Sequence, residues 1–265
     1  MMLHRHFASN EPPPPNPAHQ VNTLGRELSD GTRKAVVYAG TRNLYKDMLS
    51  AVKSMLTYNP DVQIYLLIED DQYPFYMPEN VESINVSGQP WFRKSGPNFR
   101  SGWSYMILMR AALTKMFPEY DRILSMDVDT LAMEDLSYLW EMDMTDKGVA
   151  GVPEYEIISR PRDYINVGCM MQNLKLIREK EWDNRMIDML NRLKLTWPEQ
   201  DAINTVMKGH IIILPVRYND SFPCGYTDNP AVIHLCGPDK KHDARMPLYE
   251  AFGKKPWDDI LLDRK

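Results

Sequence analysis

With 265 residues, 25% of them charged and 43% hydrophobic, the chain has the composition of a globular protein with room for a sizeable core. A formal net charge of −5 excludes an extensive electrostatic footprint for nucleic acid. The three cysteines, Cys169, Cys224 and Cys236, form no CxxC pair, and an odd count suits a reducing compartment better than a disulfide framework.

No apolar run reaches the length of a membrane span, and the opening "MMLHRHFASN" lacks the apolar core of a signal peptide, so the expectation is a cytoplasmic protein. Residues 1–33 contain "NEPPPPNPAHQ" and read as a disordered or irregular extension, leaving 34–265 as a single domain. "KAVVYAG" is a short buried strand, followed by the turn "TRN" and a helix from about Leu44 to Leu56. "DVQIYLLIED" and "VESINVS" are the next two strands. A loop rich in Gly, Pro and Trp, "GQPWFRKSGPNFRSG", leads to a helix over "WSYMILMRAALTKMF" and then to the strand "RILSM". Strands alternating with helices predict right-handed crossovers and a mostly parallel, Rossmann-like α/β sheet. In such sheets ligands lie at the carboxyl ends of the strands. The turn after the first strand and the two aspartates after the fourth, Asp127 and Asp129, share that edge.

The second half is less regular. "GVAGVPE" and "YINVGCMMQN" read as strands, "LKLIREKEWDNRMIDMLNRL" as a helix pair, and "PEQDAINTVM" as a helix with Pro in its first turn. "HIIILP" and "AVIHL" are further short strands, so a mixed C-terminal extension of the parallel sheet is expected. No internal repeat is visible.

Asp127 and Asp129 stand at i and i+2, and in an extended chain their carboxylates point the same way. They repel unless a positive charge lies between them. A solvated turn with a helix cap is the bland account. An oxygen-preferring divalent cation is the chemical one. A phosphatase of the haloacid dehalogenase kind needs Thr four residues after the first Asp, where this chain has Leu131, and it places the motif on its first strand. A magnesium-dependent nucleotidyltransferase and a sugar-nucleotide glycosyltransferase remain. A second block, "HLCGPDKK", begins at His234 directly after the apolar "AVI". Imidazole can complete a metal site begun by two carboxylates, in a mixed N/O set compatible with Mn²⁺. Gly237 permits close backbone approach to a ligand, and Lys240 supplies a point charge for phosphate.

These blocks, in this order, resemble the family 8 retaining glycosyltransferases, the group containing glycogenin and the bacterial lipopolysaccharide galactosyltransferases. "YAGTRNLY" resembles the family's first-strand uridine turn, "MDVDT" its DxD, "NVGCMMQNL" its "N-small-G…NL" block, "EQDAIN" its "DQDxLN" and "HLCGPDKK" its "HxxGxxKPW". The resemblance implies a GT-A-type fold and transfer of a hexose, glucose or galactose, from a UDP-sugar. It implies that Asp127, Asp129 and His234 hold Mn²⁺ or Mg²⁺, with Asp127 and Val128 also near the ribose. Ala39, Thr41, Asn43 and Tyr45 would hold the uridine, with Tyr45 either stacking on uracil or serving as a core aromatic. Arg110 would face the donor, Asn166 and Gly168 would line the donor sugar, and Gly237 and Lys240 would contact the diphosphate. Gln200 would lie on the reacting face of the anomeric carbon, flanked by Glu199 and Asp201. Retention then implies front-face attack, with the leaving diphosphate taking the acceptor's proton.

There are departures. Glu199 stands where the family usually has Asp, Val167 replaces Ala or Ser, and Lys241 and His242 replace the terminal "PW". Glu199 and Val167 leave open a protein that binds nucleotide sugar without turnover. The short segment after Lys240 makes a lipid-linked acceptor the lesser expectation; glycan, protein and small-molecule acceptors stay open, and no oligomeric state is implied. The loop from Trp91 to Trp103 suits a flap over the donor, an acceptor platform or a plain connection pinned by tryptophans.

Overall fold

A computed structural model describes residues 33–155, 161–237 and 240–261. The expected N-terminal extension lies outside the described residues, apart from Arg33. Among the described residues the main sheet has seven strands: β1 (Ala35–Ala39), β2 (Gln63–Ile68), β3 (Val81–Asn85), β4 (Arg122–Met126), β6 (Val149–Pro153), β7 (Ile165–Asn173) and β8 (Ile211–Ile213), in the order β3-β2-β1-β4-β7-β6-β8. Two further strands, β5 (Thr130–Ala132) and β9 (Val232–His234), pair with each other as a separate antiparallel ladder.

The first half of the sheet is parallel, with Val37 of β1 facing Tyr65 of β2 on one side and Ser125 of β4 on the other. The long strand β7 runs antiparallel to both β4 and β6, and β8 is parallel to β6. Because β6 thereby runs in the same sense as β4, both strands end at the same edge. β2, β4, β6 and β7 are almost wholly buried, which is why they read as near-continuous apolar runs rather than as alternations.

The period of two still sorts side chains between the faces. Val36, Tyr38, Ile64, Leu66 and Leu124 pack under α1 (Tyr45–Tyr58) and with Leu139 and Trp140 of α3 (Ser137–Glu141). Val37, Tyr65, Leu67 and Ile123 face the opposite layer. That layer contains α2 (Leu113–Met116), α4 (Leu174–Glu179), α5 (Trp182–Arg192) and α6 (Pro198–Val206). At the C-terminal end α7 (Met246–Lys254) lies against α1, and α8 (Trp257–Leu261) follows it. Among the described residues no helix is long and apolar enough to cross a membrane.

Two expectations change. "WSYMILMRAALTKMF" is not one α-helix: Tyr105–Ala112 is a 3-10 helix, capped by Ser104 Oγ accepting from the Met106 amide, and only Leu113–Met116 is α-helical. Three residues per turn align Met106, Met109 and Ala112, all buried, in one row against the sheet. The second change concerns "AVIHL", which does not extend the main sheet. It pairs with the three residues directly after the DxD.

Candidate active site

At the end of β4 the Asp127 amide donates to the Gly168 carbonyl (2.8 Å), carrying the ladder one residue past the strand. Thr130 Oγ1 then donates to the Asp127 carbonyl (2.7 Å) and closes a tight turn over Val128 and Asp129. The β5–β9 register sets Thr130 opposite His234, so the turn and the histidine are brought together by backbone pairing. One ligand atom from each of Asp127, Asp129 and His234 falls within 4.8 Å of the others. His234 Nε2 lies 3.4 Å from Asp127 Oδ2 and 3.4 Å from Asp129 Oδ1.

That nitrogen is buried and makes no hydrogen bond. His234 Nδ1 stands 2.9 Å from Asn219 Oδ1. An amide oxygen accepts, so Nδ1 carries the proton and the Nε2 lone pair faces two carboxylates. Such an arrangement calls for a cation. Without a metal a proton answers the call: burial opposes charging of His234, but Cys236 and the two carboxylates outweigh it and hold the imidazole well above its ordinary pKa. Two carboxylates and an imidazole whose second nitrogen has no hydrogen bond fit a divalent metal ion.

The surrounding charges are balanced in sequence-distant pairs. Arg110, on the 3-10 helix, is buried and bonds Asp127 Oδ1 with one branch and Glu199 Oε1 (3.1 Å) with the other. Burial resists ionisation of Asp127, yet Arg110 and His234 hold it well below the usual carboxylate range. Burial dominates at Glu199 and pushes its carboxyl up to about 7, with Arg110 pulling the other way. Lys240 Nζ bonds Asp129 Oδ2 at 2.8 Å. Gly237 has φ +116, a conformation that favours glycine, and it lies against Phe222. Pro238 and Asp239 of the same block lie outside the described residues.

The β6 edge adds a residue that sequence reasoning missed. Glu154 follows β6 directly, is buried, and its Oε2 accepts from Gln200 Nε2 (2.6 Å) and Asn166 Nδ2 (3.2 Å). Gln200 Oε1 accepts from the Val167 amide (3.2 Å), so its side chain is fixed at both ends. Asn166 Oδ1 accepts from Asn219 Nδ2 (2.8 Å) and from the Gly168 amide (2.9 Å). A line of amides and carboxylates thus runs from Gln200 through Glu154, Asn166 and Asn219 to His234. The available signal for Glu154 was the one used for Asp127: an acid directly after a wholly buried strand.

Not every expected residue joins this cluster. Asp201 turns away: its carboxylate accepts from Tyr164 Oη (2.6 Å) and, reaching back over the first turn of α6, from the Trp197 amide (2.9 Å). Tyr45 is 5% exposed, packs at 5.3 Å from Tyr73, and bonds Asp70 through its hydroxyl (2.9 Å), the setting of a core aromatic. Thr41 Oγ1 donates to Asn43 Oδ1 (2.6 Å) in the exposed turn after β1, with Ala39 half-buried at the strand end. Val128 is buried beneath the DxD turn, against Gly40. A cavity of about 420 Å³ opens beside Gly237 and Lys240, lined by Phe222, Tyr226, Cys236 and Arg245.

Known proteins are similar to this chain in sequence and in fold. GlyF, a glycosyltransferase of Streptococcus pneumoniae serotype 4, is 20% identical over 246 residues, covering 88% of this chain and 59% of GlyF. Among solved structures, the apo bifunctional glycosyltransferase WbbM superposes with a TM-score of 0.70 at 17% identity, over 91% of this chain and 53% of WbbM. Galactosyltransferase LgtC, solved with donor and acceptor sugar analogues, superposes with a TM-score of 0.63 at 18% identity, over 86% of this chain and 100% of LgtC. The fold is therefore of the GT-A type. The chain spans a little over half the length of GlyF and WbbM. The model of glycosyl transferase family 8 matches residues 35–241, from the first strand through the DxD and His234 to Lys241, and the chain belongs to that sugar-transferring family.

Proposed function

We propose that this chain moves a hexose, glucose or galactose, from a UDP-sugar to a glycan, protein or small-molecule acceptor, with retention of configuration. The observation that carries the proposal is the convergence of Asp127, Asp129 and the unpartnered His234 Nε2 on one point at the carboxyl edge of the sheet. In this reading these three residues hold Mn²⁺ or Mg²⁺. When bound, the metal supplies Lewis-acid stabilisation of the charge that builds on the departing diphosphate. Lys240 adds a second positive charge on the same side, and its bond to Asp129 keeps it there. The turn containing Thr41 and Asn43 receives the uridine.

Glu154, Asn166 and Gln200 hold the sugar. Gln200 is fixed between Glu154 and the Val167 amide, so it orients the sugar rather than attacking it. The acceptor oxygen bonds to the anomeric carbon on the face from which the diphosphate oxygen leaves. That oxygen takes the acceptor's proton, so no enzyme nucleophile is consumed. Arg110 keeps Asp127 and Glu199 in place from beneath. The cavity beside Gly237 and Lys240 provides room for the acceptor. Asp201 acts through α6, whose first turn it braces through the Trp197 amide.

UDP release from a panel of UDP-sugars, with Mn²⁺ and with chelator, tests the reading without an identified acceptor. Release from one hexose donor that stops on metal removal and resumes on Mn²⁺ addition is the expected result. No release together with no calorimetric binding of UDP would overturn it.

Glu154→Gln separates the front-face route from a covalent one. It removes one charged hydrogen bond to Gln200 and is expected to slow hydrolysis about 10–100-fold without abolishing it, the value of a charge-assisted hydrogen bond. A glycosyl adduct on Glu154 in the wild type, found by mass spectrometry, would overturn front-face attack.

A further inference from the structure

The hydroxyl of Tyr249 lies beneath the DxD turn. Tyr249 sits on α7, past the end of the family match at residue 241, and is 3% exposed. Its ring belongs to a small apolar cluster with Leu131, Ile233, Leu235 and Phe252, which joins the β5–β9 ladder to α7. Its hydroxyl reaches out of that cluster to the Val128 carbonyl at 2.7 Å and to the Asp47 carbonyl at 2.9 Å, with Asp47 Oδ1 at 3.3 Å. Val128 is the residue between the two aspartates. Asp47 lies in the first turn of α1, immediately after the uridine turn.

Phenol O–H groups are good donors, and here one proton is shared between two backbone carbonyls from elements 81 positions apart (Asp47 and Val128). The turn needs such a partner. Asp127 and Asp129 repel, and Arg110 holds one carboxylate while Lys240 holds the other, so the peptide between them joins two separately anchored side chains. A buried carbonyl that loses its donor costs free energy or moves toward a new donor. α7 is itself held in place. Lys53 of α1 is buried and donates to the Gly253 and Lys255 carbonyls (3.0 and 2.5 Å), and Gly253 lies so close to Ser50 that a Cβ there would meet Ser50 Oγ at 2.6 Å.

We propose that Tyr249 is a positioning residue for the metal site: its hydroxyl fixes the Val128 carbonyl against α1 and so sets the separation of the Asp127 and Asp129 carboxylates. The proposal rests on the metal-dependent reading above and adds a residue to it. Tyr249→Phe keeps the ring in the apolar cluster and removes only the hydroxyl. Outer partners of metal ligands change metal affinity by about 10–100-fold, and a loss of about tenfold in Mn²⁺ affinity is expected. Hydrolysis of the donor at low Mn²⁺ falls in parallel and recovers at saturating Mn²⁺, a rescue that general loosening of the fold would not give.

Calorimetric Mn²⁺ titration of wild type, Tyr249→Phe and Phe252→Leu reads this directly. Phe252→Leu thins the same cluster without touching the hydroxyl; it is expected to lower Tm while leaving Mn²⁺ affinity unchanged. Equal Mn²⁺ affinity in wild type and Tyr249→Phe overturns the positioning role and leaves the metal-dependent reading standing. An equal loss in Phe252→Leu also overturns it, because α7 would then act only as packing. Absence of Mn²⁺ binding to the wild type sinks both. Should Tyr249→Phe fail to fold, Lys53→Met, which releases the far end of α7, is read in its place: weaker Mn²⁺ binding supports the tether, and unchanged binding overturns it.

Discussion

Arg110→Met is expected to cost the metal-free protein about 3–5 kcal/mol, the range for leaving a buried charge without its partner. The methionine keeps most of the stem's packing under the 3-10 helix, so the loss reports the guanidinium. Two carboxylates, half-buried Asp127 and buried Glu199, then flank the site with no guanidinium between them. Glu199 already sits at about 7, raised from 4.5 chiefly by burial, and Arg110 opposes that rise. Removing the arginine raises it further.

The folded state therefore holds a proton on Glu199 over a window in which the unfolded chain has lost it. Stability falls as pH climbs from the unfolded value toward the folded one. In wild type that window runs from 4.5 to about 7; in Arg110→Met its upper limit moves higher. Urea denaturation in chelator at pH 6 and pH 8.5 checks the sign, with a larger penalty expected at pH 8.5. Equal penalties at the two values would show that Glu199 does not carry the charge. Arg110→Lys keeps one charge but cannot reach both acids with a planar fork, and an intermediate loss is expected.

The central strands of the parallel half, β1, β2 and β4, were legible because they are buried on both faces and end in polar turns. "KAVVYAG", "DVQIYLLIED" and "RILSM" each contain the observed strand, and the rule that ligands gather at carboxyl ends then placed Asp127 and Asp129. The pairing of "AVIHL" was not legible. Three residues carry no usable period, and their partner, Thr130–Ala132, is equally short and hidden in a stretch that reads as a turn. That ladder is what delivers His234, so the metal cluster could be inferred from ligand chemistry and resemblance, not from spacing. Tyr45 shows the limit at a helix start, where sequence alone lets the same aromatic face a ligand or the core, and only the packing against Tyr73 shows which way it lies. Asn219 was missed because a lone amide carries no signal until the fold sets it beside His234, and Glu154, although it follows a buried strand, lacks the i, i+2 partner that singled out Asp127.

Gly168→Ala is expected to give the largest loss of activity from the smallest change. A Cβ on Gly168 would stand 2.2 Å from His234 Cε1, 2.6 Å from Nδ1 and 2.9 Å from Asn166 Oδ1. The imidazole has little room to yield: it is almost wholly buried, and Asn219 holds Nδ1. Gly168 cannot yield either, since its carbonyl accepts from the Asp127 amide and its own amide donates to Asn166. The ring must leave the position in which Nε2 faces Asp127 and Asp129. Donor hydrolysis is expected to fall about 10³-fold, the upper range for losing one preorganised electrostatic partner, with Mn²⁺ binding lost in calorimetry. The sequence resemblance assigned Gly168 to the sugar pocket, and a double-mutant cycle distinguishes that role from clearance for His234. In the background of His234→Ala only the 2.9 Å approach to Asn166 Oδ1 remains, so the added methyl is expected to cost little further in UDP-sugar binding. A second large loss there would show that Gly168 serves the sugar directly. A negligible one would show that glycine is required at this position because the imidazole occupies the place of its side chain.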